Sequence, residues 1–312
     1  TFKQSGIKYV VLTGKHLDGF TLWPSRSALN WNAMEIGPKR DLFGELGTAV
    51  KKVGLRYGVY YSLYEWYNPL FYQDYTNNFN TTFYTDAKIL PELRDLVNKY
   101  KPDIIWSMDN GGIPQKYLKT KEFLTWLYNE SPVKDNVVVN DRWGAGSICR
   151  HGGFLLCRGR HQPNSPFPRK WESAVPLDRS SWGFNRLSHS SMYMTIEQLL
   201  TIVARIISGG GNLLLNVGPT HDGRIPPIME ERLLQVTFNI KFVLFLQLKL
   251  LFHVQFGEWL NINSIAIYKT EQWKHQKDSK ATEVYYTKSK ENNTIFAIIL
   301  QTPKNNLLQL GS

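Results

Sequence analysis

Short apolar runs alternate with helix-patterned segments along most of the chain. Runs with the length and the β-branched or aromatic content of buried strands lie at residues 9–12, 57–62, 104–107, 137–140 and 213–217. Segments whose apolar residues recur at intervals of three and four lie at residues 41–53, 90–100, 121–128 and 195–207. Strands that alternate with amphipathic helices predict an α/β fold with a parallel sheet.

A barrel of strand and helix pairs fits this alternation better than a doubly wound sheet. Doubly wound nucleotide-binding sheets carry a glycine-rich turn after the first strand, and no such turn follows residues 9–12. The glycines at residues 209–211 precede a strand-like run, so they predict a tight turn. The chain begins at Thr1 and reaches a strand almost at once, so we expect an N-terminal portion to precede it.

The pattern changes toward the end of the chain. Short alternating stretches at residues 284–287 and 295–300 predict antiparallel β structure. We therefore expect a (β/α) barrel over residues 1–262, followed by the start of a β-sandwich over residues 263–312.

A Phe- and Leu-rich stretch interrupts the first of these domains at residues 237–256. Its length approaches that of a membrane-spanning helix, but Lys241, Lys249 and His253 would have to enter hydrocarbon at considerable cost. We predict an atypical insert here and no membrane span.

The composition is that of a globular protein, because 312 residues with 42% hydrophobic content can bury one large core. A net charge of +11 raises the question of an anionic partner. Lysine and arginine are, however, scattered in ones and twos, and no nucleic-acid-binding module is visible. We expect a solvated basic surface and no nucleic-acid partner.

The cysteines and the glycosylation signals indicate a secretory route. Cys149 and Cys157 flank a Gly-Gly turn at a separation suited to a loop-closing disulfide, and they lack the CxxC spacing of zinc or thioredoxin sites. Acceptor sequons, which also occur by chance, begin at Asn80, Asn129 and Asn292. We expect a lysosomal or secreted protein.

Asp109 is the first candidate for catalysis. It directly follows the apolar run at residues 104–107, and in barrels the residues just past the C-terminal end of a strand face the pocket. The sequence Asp-Asn-Gly is also typical of a helix cap or an Asx turn. Both interpretations remain open at this stage.

Aromatic residues beside strand ends favour a carbohydrate pocket, because the C–H faces of sugars pack on aromatic rings. The candidates for binding are His16, Trp23, Tyr61 and Arg142. Each also has a structural interpretation: core packing for Trp23, a structural histidine at His16, and a plain ion pair for Arg142.

Glu172 is the candidate for a second carboxylate. It follows Trp171, and an indole can desolvate a carboxyl group and make it a general acid, although an exposed Glu beside Trp is common. A retaining glycosidase needs two carboxyl groups about 5 to 5.5 Å apart. Asp109 and Glu172 are the available pair, and their separation in the sequence does not reveal that distance.

Taken together, several motifs resemble the α-L-fucosidases of glycoside hydrolase family 29, especially the animal lysosomal and plasma enzymes. They include YVVLTGKHLDGFTLWPS at residues 9–25, NDRWG at 140–144, KWE at 170–172, SWG at 181–183 and GNLLLNVGP at 211–219. No single motif is decisive, but their number and order are highly specific.

The resemblance implies a (β/α)8-like barrel that here lacks its first strand, followed by a truncated β-sandwich. It also implies retaining hydrolysis of terminal α-L-fucose from glycoproteins and glycolipids, without a metal or cofactor. Asp109 would be the nucleophile and Glu172 the acid/base, while His16, Trp23, Tyr61 and Arg142 would hold the sugar. The partners would be fucosylated glycans, and homo-oligomer formation stays open.

Some positions depart from the family pattern. Ungapped alignment places Met108 where the family has its nucleophilic Asp, and a one-residue shift to Asp109 reverses the direction of a strand side chain. Gly159 stands where related enzymes carry a carboxylate, and Leu17 replaces the second histidine of a pair. These departures keep an alternative open: a catalytically inactive relative that binds fucosylated glycans.

Overall fold

The structure is a computed structural model that describes residues 1–109, 112–157, 167–235, 263–301 and 307–311. The chain forms two compact units. The first unit spans residues 8–157, and the second unit combines residues 1–7 with residues 158–312.

The first unit is built on a parallel sheet. Its strands, in spatial and sequence order, are β1 (Tyr9–Lys15), β2 (Arg56–Ser62), β3 (Ile104–Met108) and β4 (Val138–Val139). All three pairings are parallel, which confirms the prediction from the alternating pattern. The parallel arrangement brings the C-terminal ends of these strands to one edge of the sheet.

Helices connect the strands of the first unit. They are α1 (Leu42–Lys52), α2 (Pro69–Thr76), α3 (Leu90–Tyr100) and α4 (Thr120–Asn129), with a π-helical turn over Thr85–Ile89 before α3. The side chain of Asp41 caps α1 by accepting from the amide of Gly44. The predicted helices at residues 41–53, 90–100 and 121–128 are confirmed.

The two faces of β2 serve different purposes because side chains alternate along a strand. Tyr57 contacts Phe43 of α1, and its hydroxyl donates to the carbonyl of Phe43 at 2.9 Å. Tyr61, on the same face, lies against Trp23. Tyr60 belongs to the other face and contacts the ring of Trp106 on β3. The first face forms the core with the helices, and the second is available for a site.

The second unit has a short parallel pair of strands, β5 (Glu172–Pro176) and β6 (Asn212–Asn216). Helix α5 (Ile196–Ser208) begins with a capping box between Thr195 and Gln198, and α6 spans Pro227–Gln235. The tight turn predicted at residues 209–211 is confirmed, since α5 ends at Gly209 and β6 starts at Asn212. Gly211 is required there, because a Cβ atom would lie 2.4 Å from the ring of Trp171.

An antiparallel sheet follows in the same unit, as predicted. It contains β7 (Thr270–Lys277), β8 (Val284–Ser289) and β9 (Ile295–Ile299), after the short helix α7 (Ser264–Ile267). The buried carboxylate of Asp278 joins the end of β7 to its surroundings by accepting from the amides of Lys280, Ala281 and Gly311. The sandwich architecture and a domain boundary at residue 262 stay predictions.

The proposed insert at residues 237–256 lies outside the described residues. In the described part of the chain, no helix has both the length and the apolar character to cross a membrane. The absence of a first barrel strand also stays a prediction.

Candidate active site

Three aromatic rings stack on one face of the sheet in the first unit. The ring of His16 lies 5.4 Å from that of Tyr60 at an interplanar angle of 7°, and Tyr60 lies 5.2 Å from Trp106 at 25°. His16 directly follows β1, while Tyr60 and Trp106 are register partners on β2 and β3. We call these three rings the aromatic stack. Adjacent parallel strands therefore build it from residues far apart in the sequence.

Arg142 reaches the same face. Met108, the last residue of β3, lies two residues after Trp106 and so projects to the same side. Its sulfur accepts a hydrogen bond of 3.4 Å from Nη1 of Arg142. Burial raises the pKa of the Tyr60 hydroxyl, and the nearby charge of Arg142 partly offsets this rise. The guanidinium thus lies next to the aromatic stack.

The rest of the guanidinium of Arg142 is only partly bonded. Nη2 donates to the carbonyl of Cys157 at 2.9 Å. The buried Nε atom has no hydrogen-bond partner within the described ranges, and no carboxylate described there pairs with Arg142. An arginine held in this way has donors left for a ligand.

A small disulfide loop holds the carbonyl that Arg142 uses. Cys149 and Cys157 form a disulfide, as predicted from their spacing. Inside the loop, the fully buried carboxylate of Asp141 accepts from the amides of Cys149, Leu156 and Cys157 at 2.7, 3.0 and 3.1 Å. Because Asp141 precedes Arg142, one buried side chain fixes both the arginine backbone and its carbonyl partner.

The ends of β3 and β4 are joined by side chains behind Arg142. Asn140 accepts from the amide of Ser107, and its own Nδ2 donates to the carbonyl of Ser107 at 2.8 Å. The hydroxyl of Ser107 also lies 2.7 Å from the carbonyl of Arg142, and its single proton is donated either to this carbonyl or to Asn140. Asn140 and Ser107 therefore hold the end of β3 against the segment that carries Arg142.

Asp109 lies immediately after β3 and is 2% exposed. Burial raises the pKa of the Tyr64 hydroxyl, and the charge of Asp109 adds to this rise. Tyr64 follows β2 and Asp109 follows β3, so both lie at the C-terminal edge of the sheet. Its catalytic role stays a prediction.

Trp23 and Tyr61 occupy the helix-facing side of the sheet, not the face of the aromatic stack. Both side chains are fully buried. Trp23 packs near Phe43 and Tyr61, and the Tyr61 hydroxyl donates to Glu92 at 2.8 Å. Tyr60 is the tyrosine on the site face, and sequence reasoning missed it. The signal that identifies it is its alternation with Tyr61 and its register with Trp106.

Glu172 belongs to the second unit, where it opens β5 and is 3% exposed. Its carboxylate accepts from Nδ2 of Asn212 at 2.9 Å. The neighbouring Trp171 is buried and donates to the carbonyl of Gly209. The interpretation of Glu172 as an exposed surface glutamate is therefore wrong. Its pairing with Asp109 stays a prediction. Gly159 lies outside the described residues.

The first-unit residues suit the binding of a polyhydroxylated ring. The face offers aromatic rings, a partly bonded arginine, a histidine and a nearby carboxylate. Within the described ranges, no three His, Cys, Asp or Glu side chains are grouped so as to hold a metal ion.

Comparison with known proteins decides the family. The model of the alpha-L-fucosidase family matches residues 1–241, and that of the alpha-L-fucosidase C-terminal domain matches residues 276–312. The chain belongs to the α-L-fucosidase family. The two matches together cover most of this fucosidase-family chain and agree with the resemblance inferred from its motifs.

Individual relatives support the same assignment. The chain is 47% identical to the plasma alpha-L-fucosidase of Rattus norvegicus over 310 residues, which are 99% of this chain and 63% of that protein. It is 45% identical to the tissue alpha-L-fucosidase of Homo sapiens over 311 residues, or 62% of that protein. The chain therefore spans somewhat less than two thirds of the length of these fucosidases.

A solved structure shares the fold. The α-fucosidase of Thermotoga maritima, described in complex with fucose, superposes with a TM-score of 0.73 at 36% identity. The match covers 97% of this chain and 64% of the Thermotoga chain. The fold of this fucosidase-family chain is thus that of a known α-fucosidase over almost all of its length.

Proposed function

We propose that the chain is an α-L-fucosidase that removes terminal α-L-fucose from glycoproteins and glycolipids with retention of configuration. The observation that carries the proposal is the aromatic stack, with Arg142 beside it at the C-terminal edge of a parallel sheet. The named relatives are fucosidases, and the face offers the chemistry that a deoxyhexose requires: apolar rings for its C–H face and donors for its hydroxyls.

In this proposal, His16 and Arg142 bind sugar hydroxyls, and Tyr60 holds His16 in place by stacking on it. Asp109 attacks the anomeric carbon to form a covalent fucosyl ester, while Glu172 protonates the departing oxygen. Glu172 then removes a proton from the water that hydrolyses the ester. Trp23 and Tyr61, predicted to touch the sugar, support the sheet from behind. The barrel architecture is supported by the parallel strands within each unit.

Met108 lies on the face of the aromatic stack, and a thioether cannot attack as a carboxylate does. The proposal requires the carboxylate of Asp109, one residue after Met108, to turn toward the face of the aromatic stack. The position of Asp109 directly after β3 supports a place at the C-terminal edge of the sheet. The relatives reported above are named as fucosidases, so the glycan-binding alternative is kept as an outcome of the test.

The experiment measures fucose release from an aryl α-L-fucoside by the purified chain and by Asp109→Ala. We expect the variant to lose at least about a thousandfold in kcat, as when a nucleophile is removed. Asp95→Ala removes an exposed carboxylate from α3 and serves as the matched control. Unchanged turnover in Asp109→Ala removes Asp109 from the mechanism. Fucose binding without turnover in the parent chain supports the alternative, and Met108→Asp then tests whether a carboxylate restores hydrolysis.

A secretory route to the lysosome or the cell exterior is the second part of the proposal. The disulfide fits an oxidising compartment. Asn292 is exposed in the turn between β8 and β9, where its Oδ1 accepts from the amide of Thr294 at 3.0 Å. At Asn129, by contrast, the hydroxyl of Ser131 is buried and donates to a helix carbonyl. We expect an N-glycan on Asn292 and none on Asn129, as judged by glycopeptide mass spectrometry after expression in a secretory host.

A further inference from the structure

A buried group of four charges lies behind the aromatic stack. Nζ of Lys15 is 2.8 Å from Glu65 and 3.4 Å from Glu92. Nζ of Lys88 is 3.5 Å from each of the same two carboxylates. All four side chains are at most 8% exposed. We call them the charge cluster, and its two ammonium groups balance its two carboxylates.

Neighbouring polar groups complete the hydrogen bonding of the charge cluster. Lys15 donates to the hydroxyls of Tyr61 and Tyr84 at 3.0 and 3.4 Å. Ser25 donates to Glu92 at 2.6 Å, and Asn68 donates to Glu65 at 2.9 Å.

The lysines of the charge cluster keep Glu65 ionised. Burial opposes ionisation of Glu65, but Lys15 and Lys88 outweigh this effect and hold its pKa below the ordinary value. The hydroxyls nearby stay protonated, because burial and the two carboxylates raise the pKa of both Tyr61 and Tyr84 well above its ordinary value.

The four residues of the charge cluster belong to different secondary-structure elements. Lys15 is the last residue of β1 and immediately precedes His16. Glu65 lies in the loop after β2, next to Trp66, whose amide donates to the carbonyl of Leu17 at 2.8 Å. Lys88 and Glu92, in contrast, belong to the π-helical turn and to α3. The Lys15–Glu65 pair therefore joins two loops at the edge of the site.

The loop that carries His16 closes tightly over Glu65. Gly19 has a φ of +77°, and a Cβ atom at this position would lie 2.7 Å from the carboxyl group of Glu65. Only glycine therefore allows the loop after β1 to pass so close to the charge cluster. Any movement of Glu65 would be transmitted to this loop directly.

Stability alone does not explain such a cluster. Burying four charges carries a large desolvation penalty, and apolar residues of similar volume often stabilise a core as well or better. A buried ion pair does, however, hold two backbone segments at one distance and orientation. We propose that Lys15 and Glu65 are positioning residues. They hold the loop after β1, which carries His16, and the loop after β2, which carries Trp66, at the relative position that sugar binding requires. This rests on the proposed function.

The decisive comparison is Lys15→Met against Lys88→Met. Each variant removes one ammonium group from the same two carboxylates, so the change in the net charge of the cluster is the same. We expect both to lower Tm by several degrees. Only Lys15→Met should raise KM for an aryl α-L-fucoside, by about tenfold, because small misplacements of binding groups are costly. Equal kinetic effects in the two variants would overturn the proposal.

A double variant separates charge balance from position. Lys15→Met combined with Glu65→Gln restores neutrality, since one charge of each sign is lost. We expect this variant to regain most of the lost Tm while keeping the raised KM. Recovery of KM along with Tm would show that the pair only balances charge, and the proposal would then be wrong.

A readout without turnover separates this proposal from the proposed function. The amide of Trp66 is bonded across to Leu17, so its hydrogen exchange reports on the two loops directly. We expect faster exchange in Lys15→Met and not in Lys88→Met, even if the parent chain released no fucose. If Lys15→Met fails to fold, Gly19→Ala displaces Glu65 without changing any charge and should raise the same exchange rate. Unchanged exchange in these variants contradicts the proposal.

Discussion

Tyr60 stacks on Trp106, with ring centroids 5.2 Å apart and an interplanar angle of 25°. The two residues are register partners on β2 and β3, so the stack is a direct consequence of strand pairing. His16 adds a third ring from the end of β1. Because Trp106 is 6% exposed and His16 is exposed, the stack opens to a ligand at His16 and Tyr60.

Tyr60→Leu should weaken sugar binding. The variant loses its stacking with His16 and Trp106, and we expect the free energy of unfolding to fall by about 1 kcal/mol. We expect kcat/KM for an aryl α-L-fucoside to fall by about tenfold, because leucine offers no flat face for His16 to stack on. Steady-state kinetics and thermal unfolding measure the two effects.

Tyr61→Phe is the matched comparison for Tyr60→Leu. It removes only the hydroxyl that bonds Lys15 and Glu92, so we expect the free energy of unfolding to fall by about 1 to 3 kcal/mol. We expect kcat/KM to change by less than about twofold, because the hydroxyl lies on the helix-facing side. A larger kinetic loss in Tyr61→Phe than in Tyr60→Leu would favour the original assignment of Tyr61 to the sugar.

The choice between Tyr60 and Tyr61 shows where sequence reasoning stopped. The apolar run at residues 57–62 identified the strand, but both faces of a buried strand are apolar or aromatic, so composition does not reveal which face points to the site. The same ambiguity of one residue separates Met108 from Asp109. The direction of each side chain is known only from its contact partner. Tyr60 contacts Trp106 on the neighbouring strand, and Met108 contacts Arg142, which follows β4.

Arg142→Lys should reduce activity although it keeps the charge. A lysine carries its three donors on a single nitrogen, so it lacks the planar fork with which Arg142 reaches the Cys157 carbonyl through one nitrogen and presents the others to a ligand. We expect kcat/KM to fall by more than about tenfold, mainly through KM. Arg56→Lys is the control, because Arg56 is exposed and pairs with Asp103 at the opposite end of its strand. Equal losses in both variants would exclude a specific role for Arg142.

The periodicity of apolar residues predicts most of the strands and helices. Two of the elements that escape this prediction do so for physical reasons. Helix α2 was not predicted because its aromatic residues are spread around it, and only Asp74 of the helix is buried. Strand β5 was not predicted because it begins with a glutamate and ends with a proline, although all of its residues are buried. In both elements tertiary contacts outweigh local sequence preference.

Opening the disulfide should weaken sugar binding as well as the fold. Replacing both Cys149 and Cys157 with serine frees the loop whose Cys157 carbonyl holds Arg142. We expect the free energy of unfolding to fall by about 2 to 3 kcal/mol, as for short closed loops. We also expect KM for the aryl fucoside to rise. The reduced parent protein should reproduce both changes, and a normal KM in either sample would show that Asp141 holds the loop alone.

Acid should loosen the antiparallel sheet through Asp278. Backbone amides, foremost that of Ala281, and the hydroxyl of Tyr286 hold the pKa of Asp278 far below its ordinary value of 3.8. The unfolded state therefore binds a proton at higher pH than the folded state does. The stabilisation is fully present above about pH 4 and is lost progressively as the pH falls toward the folded-state pKa.

Fluorescence of Trp273 can follow this loss, because its indole lies 5.1 Å from the ring of Tyr286, which bonds Asp278. Burial and that bond raise the pKa of Tyr286 to about 12, so its hydroxyl remains a donor throughout the titration. We expect the unfolding midpoint in urea to fall between pH 4 and pH 2 in the parent chain. Asp278→Asn should have a lower urea midpoint than the parent chain at neutral pH. Its midpoint should fall by less than that of the parent chain between pH 4 and pH 2. A parallel decline in both proteins would mean that other carboxylates control the acid sensitivity of the sheet.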